Sequence, residues 1–166
     1  MIMKELLYKD FVKYKNKYLN GEKICVWDVE GVLLDQIVQY ENNKIRKKDT
    51  YRLNKKAYDA LFYANVDFDK VLLWTYNIDS LSELKKKASF RKYLDEFVEI
   101  AIYGIKYKAF APIKPLNKLT NNLSNIVLIE NDRLGRPLNR TVQVNGNNNI
   151  LGYYEIARKL VFSSSH

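Results

Sequence analysis

Three short apolar runs in this sequence end in side chains that can do chemistry. Ile24 to Trp27 stops at Asp28, with Glu30 and Gly31 just beyond. VLLW at 71 to 74 stops at Thr75, and IVLI at 126 to 129 stops at Glu130 and Asn131. Two carboxylates delivered from the ends of separate strands can share a hard cation such as Mg²⁺, which takes few protein oxygens and keeps several waters. A hydroxyl at Thr75 and a nearby lysine would suit an anionic group bound beside it. Such a set serves phosphoryl transfer, where positioning and charge neutralisation carry most of the catalysis. Each residue also has a plainer role. Asp28 can cap the next turn, threonine is common in strands, and Glu130-Asn131 can open an ordinary loop. The Asp-x-Glu-Gly after a buried strand favours chemistry.

Rare residues exclude other mechanisms. The chain of 166 residues has one cysteine, Cys25, and one histidine, His166, its last residue. That leaves no Cys/His zinc site, no disulfide framework and no Ser-His-Asp or Cys-His machinery. Cys25, inside an apolar run, reads as a core thiol. The thirteen tyrosines read as core and surface filler rather than as base-stacking platforms.

The elements that must position these residues follow from periodicity. Ile24–Trp27, 71–74 and 126–129 have the continuous apolar character of strands buried on both faces. Residues 3 to 19 read as an amphipathic helix, with Leu7, Phe11, Tyr14 and Tyr18 on one stripe. Residues 36 to 52 alternate about Glu41-Asn42-Asn43 as a hairpin. Helices are expected at about 53 to 65 and from Leu81, capped by Ser80 with Glu83 as its capping-box partner. Another is expected at 115 to 123, opened by Pro115, and a last at 150 to 161. Further strands are expected at 99 to 105 and 141 to 144. This alternation predicts a three-layer, Rossmann-like α/β fold with a mostly parallel central sheet. Chemistry in such sheets lies at the carboxyl ends of the strands, where Asp28, Thr75 and Glu130 fall. The chain reads as an N-terminal helix over 1–20, one domain over 21–162 and a tail at 163–166.

The motifs resemble those of the haloacid-dehalogenase-like hydrolase superfamily. Its first motif is an apolar strand followed by DxDx(T/V), here VWDVEGVL; its second is a strand ending in Thr or Ser, here VLLWT. Its third is a lysine, and its fourth a strand ending in acidic or amide residues, here IVLIEN. Lys114 lies sixteen residues before Glu130 in KPLNKLTNNLSNIVLIEN, a segment similar to that of small C-terminal-domain phosphatases and Tim50-like proteins. The resemblance covers about residues 22 to 160. It implies Asp28 as nucleophile, Glu30 as general acid/base, and Thr75 and Lys114 as holders of the phosphoryl oxygens. It also implies Mg²⁺ on Asp28, Glu130 and the Glu30 backbone carbonyl, with Asn131 acting through water and Asp132 as a reserve ligand. Glu30 and Glu130 stand where the family has aspartate, and Val32 where threonine is commoner. Each glutamate keeps the charge and adds one methylene, about 1.5 Å of bond length.

The short intervals between the motifs leave no room for a cap domain, so the expectation is a capless enzyme with an open site suited to a macromolecular phosphate. The hairpin carries Lys44, Arg46, Lys47 and Lys48, with Arg52 following, and positive charge there would steer a polyanion to the site. The formal charge of +9 fits anionic partners, although a compositional bias toward Lys, Asn, Ile and Tyr produces the same arithmetic. Three functions stay open. The first is an Mg²⁺-dependent phosphatase acting on a phosphoprotein or nucleic-acid end. The second is a catalytically impaired relative that binds a protein or nucleic-acid partner, and the third a plain nucleic-acid-binding domain. No apolar run approaches the roughly 20 residues of a membrane span, and the N-terminus carries no secretory apolar region. The expectation is a cytoplasmic protein with no membrane partner. Oligomeric state is not legible.

Overall fold

The structure, a computed structural model, describes residues 2–19, 22–105, 123–131, 141–144 and 149–162. Six strands form the central sheet: β1 (Lys4–Leu7), β2 (Ile24–Asp28), β5 (Lys70–Trp74), β6 (Ile100–Tyr103), β7 (Ile126–Glu130) and β8 (Thr141–Gln143). Their order across the sheet is β1-β6-β5-β2-β7-β8. Every pairing within it is parallel. The three apolar runs that end in candidate residues lie together at the centre as β5, β2 and β7. They are apolar throughout because both faces of the sheet are covered.

Alternate residues of each strand serve different cores. Cys25, Trp27, Val71, Leu73, Val127 and Ile129 face one side. They pack there under α3 (Ala57–Asp67), α4 (Ile78–Lys86), α5 (Arg91–Phe97) and α6 (Ile150–Phe162). Ile24, Val26, Leu72, Trp74, Ile126 and Leu128 face the other side, with Phe11 of α1 (Tyr8–Lys13) and with Leu19. The architecture is therefore α/β and Rossmann-like, with helices on both faces of the sheet. Burial pushes the Cys25 thiol far up, so it is an inert core group.

Residues 3 to 19 correct one expectation. They divide into strand β1, helix α1 and the single turn α2 (Lys15–Tyr18). Of the expected stripe, Phe11 is a buried residue of α1, Leu7 belongs to β1, and Tyr14 is 50% exposed at the break between α1 and α2. Before α1, the Lys4, Leu6 and Leu7 backbones pair with Ile100, Ile102 and Tyr103 at the sheet edge. The Lys85 ammonium, 2.9 Å from Glu5, ties that edge to α4.

The hairpin is β3 (Leu34–Glu41) with β4 (Lys44–Leu53), antiparallel and separate from the main sheet. Asn42 and Asn43 form its turn at φ 52° and 61°. A two-residue turn of the I′ type needs positive φ at both positions, and asparagine tolerates it. The Asn54 backbone N–H donates to the Leu33 carbonyl at 2.9 Å, fastening the hairpin root to the core. The helix expected at 115–123 falls almost wholly outside the described residues.

Candidate active site at the ends of β2 and β7

The chain leaves β2 toward β5 on one side and leaves β7 toward β8 on the other. The carboxyl ends of β2 and β7 therefore flank the point where the connections part, the place where parallel sheets open a crevice for ligands. Asp28 is the last residue of β2 and Glu130 the last of β7. They follow directly on the paired Trp27 and Ile129, which sets their backbones about 4.8 Å apart, the spacing of adjacent strands. Trp27 and Ile129 face the core under α3 and α6, so period-two alternation turns Asp28 and Glu130 together to the opposite face. Trp74, the partner of Asp28 on β5, flanks them there. Asp28 is 3% and Glu130 1% exposed. Two adjacent carboxylates at that burial require cations or hydrogen-bond donors around them. One donor is the Asn131 backbone N–H, 3.2 Å from Glu130 Oε1.

The chain turns sharply after Asp28. The Val29 carbonyl accepts from the N–H groups of Val32, Leu33 and Leu34 at 3.4, 3.1 and 2.9 Å. Gly31, at φ +76°, closes the turn by donating to the Leu34 carbonyl at 2.7 Å. The Asn131 side chain crosses directly over this glycine, so the segments following β2 and β7 meet.

Glu30, half-buried in the turn, is held from two directions. The Ser80 hydroxyl in α4 donates to Glu30 Oε1, and the Tyr51 phenol in β4 donates to the same oxygen at 3.3 Å. Neither residue was a candidate from sequence. Ser80 reads there as the cap of α4. The cap is instead Asn77, whose side chain accepts from the Asp79 N–H at 2.9 Å. This displaces Ser80 into the helix and releases its hydroxyl for Glu30.

Thr75 follows β5 directly and is buried. Its N–H donates to the Ile102 carbonyl at 2.8 Å. Its hydroxyl exchanges 3.3 Å contacts with the Asn77 backbone, donating to the carbonyl and accepting from the N–H. The structure thus places Asp28, Glu30, Thr75, Glu130 and Asn131 along one edge of the sheet. Lys114 and Asp132 lie outside the described residues. Lys44, Arg46, Lys47 and Lys48 all lie in β4, and the description of that stretch covers its backbone only.

A cavity of about 580 Å³ opens at the hairpin root, between Asp35, Arg52, Asn54, Lys55, Lys56 and Asn149. It does not include the carboxylates of the crevice. Asp35 stands 3.9 Å from Arg52, and burial raises its carboxyl above the usual carboxylate range, with Arg52 and the Asn54 amide opposing.

Among the described residues no three His, Cys, Asp or Glu side chains gather at one point. A cation here would rest on two carboxylates and a backbone carbonyl, with water completing its shell and the Asn131 amide acting through that water. That donor set fits Mg²⁺, which is content with one or two carboxylates, and does not fit zinc. Among the described residues no helix is long and apolar enough to cross a membrane.

No protein-family model matches the chain, and no curated protein sequence matches it. The class that the structure defines is an α/β protein with a Rossmann-like parallel sheet.

Proposed function

We propose that the chain is a capless, haloacid-dehalogenase-like phosphatase that hydrolyses a phosphomonoester on a macromolecule with Mg²⁺. The substrate is a phosphoprotein or a nucleic-acid end. The observation that carries this reading is the pair of buried carboxylates, Asp28 and Glu130, side by side at the crevice. A fixed pair of this kind, beside a third carboxylate clamped by two hydroxyls, suits phosphoryl transfer better than it suits binding a neutral ligand.

In this reading the Asp28 carboxylate attacks phosphorus, forming an aspartyl-phosphate as the bond to the leaving oxygen breaks. Glu30 gives its proton to that oxygen. It then takes a proton from the water that attacks the intermediate, releasing inorganic phosphate and restoring Asp28. Ser80 and Tyr51 orient Glu30 for both transfers. Thr75 and Lys114 hold the phosphoryl oxygens. Asp28, Glu130, the Glu30 carbonyl and, through water, Asn131 would hold Mg²⁺, which supplies charge neutralisation when bound. Lys44, Arg46, Lys47 and Lys48 on β4 steer the polyanionic substrate toward the crevice. A cytoplasmic location goes with this reading.

One observation favours a second reading. Glu30 bridges α4 and the hairpin root through Ser80 and Tyr51, a structural use of its carboxylate that needs no catalysis. On that reading the chain is a catalytically impaired module that presents its basic hairpin to a protein or nucleic-acid partner.

Hydrolysis of an aryl phosphate, with and without Mg²⁺, separates the two for wild type, Asp28→Asn and Glu30→Asp. The phosphatase reading expects Mg²⁺-dependent turnover that Asp28→Asn abolishes without loss of fold. Turnover absent in wild type and present in Glu30→Asp overturns it in favour of the binding module.

A further inference from the structure

The cavity of about 580 Å³ at the hairpin root has no part in the chemistry proposed for the crevice. Its volume lies within the roughly 300–1,000 Å³ of small-molecule sites. One wall is the corner between β4 and α3, the run Arg52-Leu53-Asn54-Lys55-Lys56, and another is the start of α6 with Asn149 and Leu151. Three cations and a single carboxylate, Asp35, line it. Arg52 and Lys56 stand 3.9 Å from Asp35 and Asp59, and Lys55 has no ion-pair partner among the described residues. Contacts of that length on exposed cations contribute little to a fold, so an anion entering the cavity can take both groups over.

The buried member of the lining leads to the same ligand chemistry. Asn54 is 2% exposed. Its side-chain oxygen accepts the Lys56 N–H at 2.9 Å, and its amide nitrogen donates to Asp35 at 3.5 Å. That nitrogen carries two hydrogens, and the second meets no acceptor among the described residues. A buried donor in this state lowers stability until an acceptor reaches it, and the oxygen of an anion in the cavity is such an acceptor.

We propose that this cavity is a binding site for a small organic phosphate monoester, separate from the crevice. The donors select the anion. A carboxylate brings one charge and two oxygens, whereas a phosphate monoester brings about two charges and three acceptor oxygens. The latter suits Arg52, Lys55, Lys56 and the Asn54 amide together, with the Arg52 guanidinium shaped for paired contacts to phosphate. Asp35 is the one opposing charge in the lining, and burial already disfavours its ionised form. Leu53 and Leu151 offer apolar wall to the organic part of the ester. Helix α3 runs back from the hairpin to the start of β5, so its first turn and the cavity lie at the carboxyl end of the sheet, as the crevice does. The inference does not rest on the phosphatase reading, because binding alone tests it.

Backbone amide shifts of the full chain provide the test. Wild type, Arg52→Gln and Lys55→Gln are titrated in metal-free buffer with phenyl phosphate and with inorganic phosphate, at constant ionic strength. Lys55 is exposed and holds no described partner, so its substitution leaves the fold intact, and circular dichroism verifies this for each variant. The expected result is a saturable shift of the amides of residues 52–57 and 149–151, with phenyl phosphate the tighter ligand. The dissociation constant should rise at least about tenfold in each folded variant, as for loss of a charge-assisted hydrogen bond. No saturable shift at these residues overturns the proposal, as do shifts confined to Gly31 and Thr75 at the crevice. A folded Lys55→Gln variant that binds as tightly as wild type overturns it as well. Inorganic phosphate binding as tightly as phenyl phosphate overturns the assignment of an organic ester.

Discussion

A Cβ placed on Gly31 would lie 1.9 Å from Nδ2 of Asn131 and 2.5 Å from its Cγ. The turn after β2 and the end of β7 are therefore interlocked, and only glycine permits the approach. Gly31 also sits at φ +76°, where a side chain adds roughly 1–2 kcal/mol of strain. Gly31→Ala is expected to lower stability by about 1–3 kcal/mol and to push Asn131 away from the carboxylate pair. Denaturant midpoints measure the first effect. A rise in the Mg²⁺ concentration needed for half-maximal phosphatase activity measures the second, and an unchanged requirement would remove Asn131 from the site.

Glu30 receives both of its described donors on one oxygen. Ser80→Ala and Tyr51→Phe each remove one, at about 1 kcal/mol of stability apiece. If Glu30 moves protons, each variant lowers kcat by about tenfold or more, because misorientation of a general base acts on the transition state. If Glu30 is only a clamp, stability falls and the aryl phosphatase rate is unmoved. The double variant should fall short of additivity, since the two hydroxyls serve the same atom.

The legible part of the fold was whatever local pattern dictates. Buried strands β2, β5 and β7 show as unbroken apolar runs because both faces are covered, and Asn42-Asn43 marks the hairpin turn because few residue types accept positive φ. Lys4–Leu7 read as helix because a short edge strand with two charged residues has no period of its own, and its pairing partner Ile100 is far along the chain. Asp28, Glu130 and Thr75 were legible as strand ends. Ser80 and Tyr51 were not, because nothing local announces a contact between residues 50 or 21 positions apart. The caps show the same limit. Asn77 and Ser80 are both good capping residues, and only the observed helix start decides between them.

Tyr154 reaches from α6 across to α3. Its hydroxyl donates to Asp67 and lies 3.1 Å from the Tyr63 carbonyl, while its ring stacks on Trp27 at 6.0 Å. Asp67 in turn holds Arg158. Tyr154→Phe keeps the ring and removes the donor from a partly buried carboxylate, which costs about 1–3 kcal/mol. Chemical denaturation should show the loss. A double-mutant cycle with Asp67→Asn should show that the two changes are not additive.

Glu99 immediately precedes β6, where its carboxylate accepts the Val71 N–H at 2.8 Å. Burial raises its pKa above the ordinary glutamate value of 4.5, and the Val71 hydrogen bond and Lys70 only partly oppose this. The native state therefore holds the Glu99 proton more tightly than the unfolded chain does. The resulting contribution to stability is complete below the unfolded pKa and is lost as pH rises through the folded one. Glu99→Gln keeps an oxygen for Val71 and removes the charge. The variant should be more stable than wild type at pH 7, with the difference shrinking toward zero as pH falls below 4.5. Urea midpoints of both proteins across that range measure it. A difference that persists unchanged at low pH would show that packing, and not ionisation, sets the effect of this residue.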